Sequence, residues 1–271
     1  MPELPEVETT RRGIAPALKG QQISRLVVRD RRLRWPVPPG LERRLAGARI
    51  EAVDRRGKYL LLRSTRGTAL LHLGMSGSLR LVYDRAAPQP HDHYDLVLEA
   101  GPLLRFNDPR RFGSLLWAGD DPGAHPLLKD LGPEPLDAAF DGNYLYRVSR
   151  GRRLAIKPHL MNSHIVVGVG NIYASEALFR AGVHPKRRAG RIARHRCDAI
   201  ADSVKEVLRE SIRAGGTTLR DFHGGDGKPG YFTRELRVYD REGEACVRCG
   251  ATVRHVVLGQ RATYYCLNCQ T

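Results

Sequence analysis

Cys246-Val-Arg-Cys249 and Cys266-Leu-Asn-Cys269 hold four of the five cysteines of this 271-residue chain, as two C-x-x-C pairs 16 residues apart. Each pair points two thiolates inward from one tight turn, and two such turns complete a tetrahedral shell around one zinc ion. All four positions are taken by protein, so the ion is expected to hold a fold rather than to do chemistry. Two disulfides are the competing reading; the short metal spacing of both pairs favours zinc. Arg254, His255 and Arg261 lie between the pairs. A stapled hairpin carrying these cations suits contact with an anionic surface.

The rest of the chain is basic too. Its 45 Lys and Arg stand against 29 Asp and Glu, a formal charge of +16. Such an excess points to a polyanionic partner, of which nucleic acid is the commonest. A bias of the source proteome toward arginine and alanine is the bland alternative. Met1-Pro2-Glu3-Leu4-Pro5 has neither a basic n-region nor an apolar h-region, so no secretory signal is expected. No apolar run reaches the length of a membrane span. A reducing cytosol agrees with zinc over disulfides. Cys197 falls at a core-facing spacing of a helix and reads as a small buried hydrophobe.

Val7, Thr10, Ile14 and Leu18 recur at helical spacing before Gly20, which predicts a helix from about Pro5. Short β-type runs follow at 26–29, 58–63, 69–73, 78–83, 94–98 and 103–106, punctuated by Gly, Pro and Asp. Closely spaced strands without intervening helices suggest a sandwich or barrel. The proline-rich stretch from Asp120 to Pro135 reads as a linker. The second half is helical: Ile172 to Ala181 with Asn171 as N-cap, then a longer helix with Cys197, Ile200, Val204, Leu208 and Ile212 on one face. Gly224 to Gly230 is too glycine-rich for regular structure and is expected to be a mobile loop.

Four further features carry chemistry. Removal of Met1 would leave Pro2 as a secondary amine with a pKa of about 8, able to attack an aldehyde-type sugar carbon and form an iminium. Glu3 beside it could move protons; on residues alone, Pro2 and Pro5 simply starting a helix is the simpler reading. Gly168-Val-Gly170-Asn171 leads into a helix, a place where backbone N–H groups and the helix dipole suit a phosphate. Gly74-Met75-Ser76-Gly77 and Asp108-Pro109-Arg110-Arg111-Phe112-Gly113 present an apolar side chain, two arginines and an aromatic on pointed turns, the equipment for entering a base stack. Lys58, His72, His91, Arg152 and Lys157 supply scattered positive charge of the kind that phosphates need. His91-Asp-His93 lacks a third ligand nearby and is discounted as a metal site.

Together these stretches resemble the formamidopyrimidine-DNA glycosylase family from end to end. The resemblance runs through Pro2-Glu3-Leu4-Pro5-Glu6-Val7-Glu8, Lys58-Tyr-Leu-Leu, His72-Leu-Gly-Met75-Ser-Gly, Asp108-Pro-Arg110-Arg-Phe112-Gly, Gly168-Val-Gly-Asn171-Ile-Tyr-Ala, Asp226-Gly-Lys-Pro-Gly-Tyr and Gln260-Arg261-Ala-Thr-Tyr-Tyr-Cys266. It implies an α+β multidomain chain: an N-terminal helix with a two-layered antiparallel β-sandwich (1–134), a helical helix-two-turn-helix domain (135–235) and a four-cysteine zinc β-hairpin (236–271). It implies a monomeric, cytoplasmic, nucleoid-associated enzyme that acts on damaged double-stranded DNA, excises 8-oxoguanine and formamidopyrimidines, and cuts the strand.

By the family pattern, Pro2 is the nucleophile at C1′ and Glu3 a proton donor. Lys58 is associated with β-elimination and Arg261 with δ-elimination. Met75, Arg110 and Phe112 fill the vacated base position. His72, His91, Arg110, Arg152, Lys157 and Asn171 contact DNA, and 217–231 covers the flipped base. Cys246, Cys249, Cys266 and Cys269 hold one structural zinc ion. Asn162 stands where the family usually has aspartate, and His164 also departs, which bears on how Lys157 is positioned. Two rivals stay open: an endonuclease VIII-like enzyme for oxidised pyrimidines, which would ordinarily begin Pro-Glu-Gly-Pro, and a non-enzymatic zinc DNA-binding module.

Overall fold

The computed structural model describes residues 2–84, 86–216 and 236–271. The expected loop at 224–230, and the base-covering segment at 217–231, lie outside the described residues. The described residues divide into two compact units, one running to Lys129 and including 214–216, the other made of 130–213 and 236–271. The division falls inside the proline-rich stretch expected to be a linker. No helix of the described residues is long and apolar enough to cross a membrane.

The first unit opens with α1 (Leu4–Leu18), capped by Glu3. The Glu3 N–H donates to the Glu6 carboxylate at 2.8 Å, half of a capping box that satisfies orphan donors of the first turn. Leu4, Val7, Ile14 and Leu18 are buried, as their spacing requires. Two four-stranded antiparallel sheets follow. One has the order β1 (Ile23–Val28), β6 (Asp92–Leu98), β7 (Leu103–Asn107), β5 (Ser78–Val82). The other has the order β2 (Ile50–Arg56), β3 (Tyr59–Ser64), β4 (Gly67–His72), β8 (Ser114–Gly119). One apolar cluster takes Leu26, Leu96 and Phe106 from the first sheet, Val53, Leu62 and Leu71 from the second, and Val7 and Ile14 from α1. Each such burial contributes roughly 2 kcal/mol, and their sum holds the layers together.

Strands β2 and β8 and the short helix α2 (Leu41–Leu45) were not anticipated. β2 ends in Asp54-Arg55-Arg56 and buries only Ile50 and Val53, so its apolar alternation is faint.

The second unit contains α3 (Gly142–Ser149), α4 (Ile156–Leu160), α5 (Asn171–Arg180) and α6 (Arg194–Arg213). Cys197, Ile200, Val204, Leu208 and Ile212 form the buried face of α6, as expected. The first two helices escaped notice. α3 depends on a local signal, the Asp141 carboxylate accepting from the Tyr144 N–H at 2.7 Å. At α5 the reading is corrected: Gly170 is the N-cap and Asn171 is the first helical residue. The unit ends in a hairpin of β9 (Arg254–Leu258) and β10 (Arg261–Tyr265), with Arg261 opposite Leu258.

Candidate active site and nucleic-acid interface

Pro2 and Glu3 are both buried where α1 begins. One helical turn on, Glu8 meets three guanidinium groups: Arg11 at 2.9 Å, Arg12 at 2.8 Å and Arg55 at 3.2 Å. Burial alone would raise the Glu8 pKa. The hydrogen bonds from Arg11 and Arg12, with the charges of Arg11 and Arg55, overcome it and hold the group at about 2. Arg55 passes this restraint on by donating to the Gly57 carbonyl at 3.0 Å. That carbonyl belongs to the turn between β2 and β3 that presents Lys58. Gly57 has φ +57°, a left-handed conformation that favours glycine.

His72 ends β4 directly opposite Tyr59, with the ring centroids 4.8 Å apart. Its Nδ1 accepts from the Gly74 N–H at 3.0 Å, so the neutral ring carries its proton on Nε2. Burial, then the charges of Lys58 and Arg34, pull its pKa down to about 4. His72 is therefore neutral at physiological pH, with Nε2–H as its ring donor.

The two pointed turns are one assembly. A Cβ on Gly74, whose φ is +70°, would lie 2.4 Å from the backbone of Phe112 and Gly113. Only glycine allows this approach. Asp108, fully buried, joins the turns: its carboxylate accepts from Ser76 Oγ at 2.6 Å, the Gly113 N–H at 2.8 Å and the Arg110 N–H at 3.3 Å. Its own N–H donates to the carbonyl of His91, which has φ +71°. Around this anchor Phe112 stays 40% exposed, with the Arg110 guanidinium 4.9 Å over its ring. Met75, His91, Arg110 and Phe112 are thus gathered on one rigid support. Sequence reading passed over Asp108 as an anchor, although an aspartate opening a proline turn is a common backbone organiser.

In the second unit Lys157 is completely buried. Its ammonium donates to Asn171 Oδ1 at 2.6 Å, the Ala262 carbonyl at 2.8 Å and Thr263 Oγ1 at 2.8 Å. The lysine expected to meet DNA therefore ties α4 to the start of α5 and to strand β10, where the neighbouring Arg261 is exposed. Asn162 gives its side-chain oxygen to the His164 N–H at 3.0 Å, and the His164 ring meets the Asp130 carbonyl at 2.7 Å. Asn162 is thus used in a local turn, and His164 in a contact to a carbonyl 34 residues earlier in the chain. Glu176 was not anticipated. It is buried, its pKa is raised by burial, and it accepts from the N–H groups of Arg237, Val238 and Tyr239 at 2.8–3.0 Å.

All four ligand sulfurs of Cys246, Cys249, Cys266 and Cys269 lie within 4.8 Å of one another. Cys249 and Cys266 are 3.5 Å apart at sulfur, and Cys246 and Cys269 3.8 Å. A tetrahedron with zinc–sulfur bonds of about 2.3 Å has edges of about 3.8 Å. A disulfide would need about 2.05 Å. The donor set and its dimensions fit one zinc ion, and it is the only such cluster among the described residues.

Three family models cover most of the chain: the formamidopyrimidine-DNA glycosylase N-terminal domain over residues 1–115, the formamidopyrimidine-DNA glycosylase H2TH domain over 131–223, and a zinc finger found in FPG and IleRS over 243–271. The chain is 62% identical over 271 residues to the formamidopyrimidine-DNA glycosylase of Stutzerimonas stutzeri, with all of both chains covered. The chain belongs to the formamidopyrimidine-DNA glycosylase family. The relative from Ectopseudomonas mendocina is 59% identical, again with both chains fully covered. Among solved structures, MutM (Fpg) of Thermus thermophilus superposes with TM-score 0.89 at 41% identity, covering 99% of this chain and 98% of that one. Lactococcus lactis Fpg, in complex with DNA containing an abasic site, superposes with TM-score 0.91 at 32% identity, covering 99% of each. The family's sandwich, helical region and zinc hairpin are all present here, as the resemblance implied.

Proposed function

We propose that this chain is a bifunctional DNA glycosylase and AP lyase that removes oxidised purines from duplex DNA and nicks the strand by β,δ-elimination. The observation that carries this reading within the molecule is the paired turn around Asp108. It carries the exposed Arg110 and Phe112 and the half-buried Met75 on two turns hydrogen-bonded to one buried carboxylate. A protein that only coats DNA has no need to fill the space of an extruded base.

Pro2, once Met1 is removed, is the nucleophile. Its amine, with a pKa of about 8, is partly neutral at physiological pH. It attacks C1′ as the damaged base departs; the C1′–O4′ bond then breaks, O4′ taking a proton from Glu3, to leave a ring-opened iminium that acidifies C2′. Loss of that proton expels the 3′ phosphate, and a second elimination expels the 5′ phosphate. Glu3 moves protons at the first step. Lys58, on the turn braced by Arg55, serves β-elimination, and Arg261 serves δ-elimination. His72 donates Nε2–H to phosphate. Asn171, His91, Arg110 and Arg152 contribute phosphate or opposite-base contacts, with Lys157 acting through Asn171 rather than on DNA directly. Zinc, held by the four cysteines, supplies the cross-link that keeps Arg261 on an ordered strand. The three-part organisation 1–134, 135–235 and 236–271, the monomeric state and a cytoplasmic, nucleoid-associated location belong to the same reading.

Borohydride is the test. With 8-oxoguanine:cytosine duplex it should trap a covalent enzyme–DNA adduct, and untrapped reactions should end in β,δ products. A protein that retains Met1 should not trap. Persistence of trapping would remove Pro2 from the mechanism, and preferential cleavage of thymine glycol would favour the oxidised-pyrimidine reading.

A further inference from the structure

Between Asp141 and Asp198 the chain carries twelve lysines and arginines and a single carboxylate, Glu176. That carboxylate is buried and bound to three backbone N–H groups, so it neutralises none of the surface. The fold also brings two separate basic stretches together. Residues 150–153 follow α3, and residues 186–191 precede α6. The Gly190 N–H donates to the Arg152 carbonyl at 3.0 Å, the Ala189 N–H to the Leu154 carbonyl at 2.9 Å, and the Ile156 N–H to the Arg187 carbonyl at 2.8 Å. A Cβ on Gly190 would stand 2.8 Å from the Arg152 carbonyl, so the two backbones touch. Arg150 staples the junction from within, donating to the Ile192 carbonyl at 2.8 Å.

Pairing two cationic stretches concentrates like charge at one place, which opposes folding. The fold nonetheless leaves Arg152, Arg153, Lys186, Arg187, Arg188 and Arg191 exposed, and none forms an ion pair among the described residues. Arg194, next along the chain, meets Asp198 at 3.5 Å and marks where the uncompensated charge ends. The ridge is continuous with a site already described: the Lys157 N–H donates to the Pro185 carbonyl at 3.4 Å, and Lys157 holds Asn171.

We propose that the part of this ridge formed by Lys186, Arg187, Arg188 and Arg191 is a second phosphate-binding surface, which grips the duplex flanking the lesion beyond the contacts made at Asn171 and Arg152. The inference rests on the glycosylase reading and adds to it a footprint longer than chemistry requires. Exposed guanidinium and ammonium groups without carboxylate partners are what counterion release from a duplex exploits, and they read no sequence. The grip is therefore non-specific, strongly salt-dependent, and useful for holding and scanning undamaged DNA.

The test uses the full zinc-bound chain and two 8-oxoguanine:cytosine duplexes, one just long enough for cleavage and one extended by a helical turn on each side. The wild type should bind the longer duplex at least about ten-fold more tightly at moderate salt. Arg187→Gln, Arg188→Gln and Arg191→Gln together should abolish that advantage. The slope of log affinity against log salt on the longer duplex should fall by about 2–3, close to 0.9 for each phosphate no longer neutralised. Single-turnover cleavage of saturating short duplex should be unchanged, which also reports that the variant is folded. The corresponding triple lysine variant should keep both the slope and the length advantage, because phosphate needs the charge rather than the planar fork. An unaltered slope and length advantage in the glutamine variant would overturn the proposal, as would an equal loss on both duplexes. Failure of the wild type to cleave either duplex would instead count against the glycosylase reading.

Discussion

Asp108 in the first unit and Lys157 in the second are both fully buried charges, and they solve opposite problems. Asp108 collects an O–H and two N–H donors from two turns that need a common anchor. Lys157 donates to three oxygens, one at the start of α5 and two on β10. In each case the buried charge lies beside candidate site residues, Arg110 and Phe112 or Asn171 and the exposed Arg261 next to Ala262, and we assign it no chemistry of its own. A buried charge is costly unless fully hydrogen-bonded, so it tolerates few alternative geometries. The difference between the two lies in what they hold. The anion fixes backbone within one cluster of loops, whereas the cation bridges elements distant in sequence and shares that work with the zinc cross-link.

Removing zinc tests that sharing and should have the largest effect. The hairpin has a very small core of its own, so Cys249→Ser or prolonged chelation should unfold it at a cost on the order of 10 kcal/mol of metal-coupled stability. DNA affinity should fall by orders of magnitude, while the thermal transition of the first unit is retained. Calorimetry with zinc release assayed in parallel separates the two. Lys157→Met should come next. Three acceptors lose their donor, for a loss of about 3 kcal/mol in denaturant unfolding. Binding should weaken even though the wild-type side chain is buried; unchanged binding would mean the lysine is not what positions Asn171.

Asp108→Asn should cost about 2 kcal/mol, since the amide cannot accept from all three donors. Its signature should be slower base extrusion, read by a fluorescent base beside the lesion, with zinc content intact. The smallest effect belongs to Glu8→Gln. A carboxylate at about 2 in the fold, against an ordinary value of 4.5, binds protons less readily folded than unfolded. Its contribution is present above about pH 4.5 and is lost as the pH falls toward 2. With partial exposure and solvent screening discounted, the variant should be less stable by about 1 kcal/mol at neutral pH. It should converge on the wild type in acid, a difference that urea titrations across pH would measure.

Legibility followed distance along the chain. The apolar faces of α1 and α6 and six of the eight sandwich strands are repeating local patterns, and they could be read directly. Strand β2 could not, because its charged end pairs with other elements, Arg55 with Glu8 on α1 and Asp54 with Arg63 on β3. Among candidate site residues, Met75, Arg110 and Phe112 stood out by their glycine-flanked turns. Asp108 did not, because its meaning depends on Ser76, 32 positions away. The burial of Lys157 is not legible either, since its partner Thr263 lies 106 positions on.

By itself the sequence determined the zinc ligand set, the Pro2-Glu3 start, the basic balance and the apolar faces of α1 and α6, because each is written in neighbouring residues or in composition. Only the tertiary structure decided which charges are buried, which carboxylate anchors the wedge, and that two arginine-rich stretches form one surface. Those outcomes depend on which distant groups meet once the backbone has folded, and no local spacing encodes that meeting.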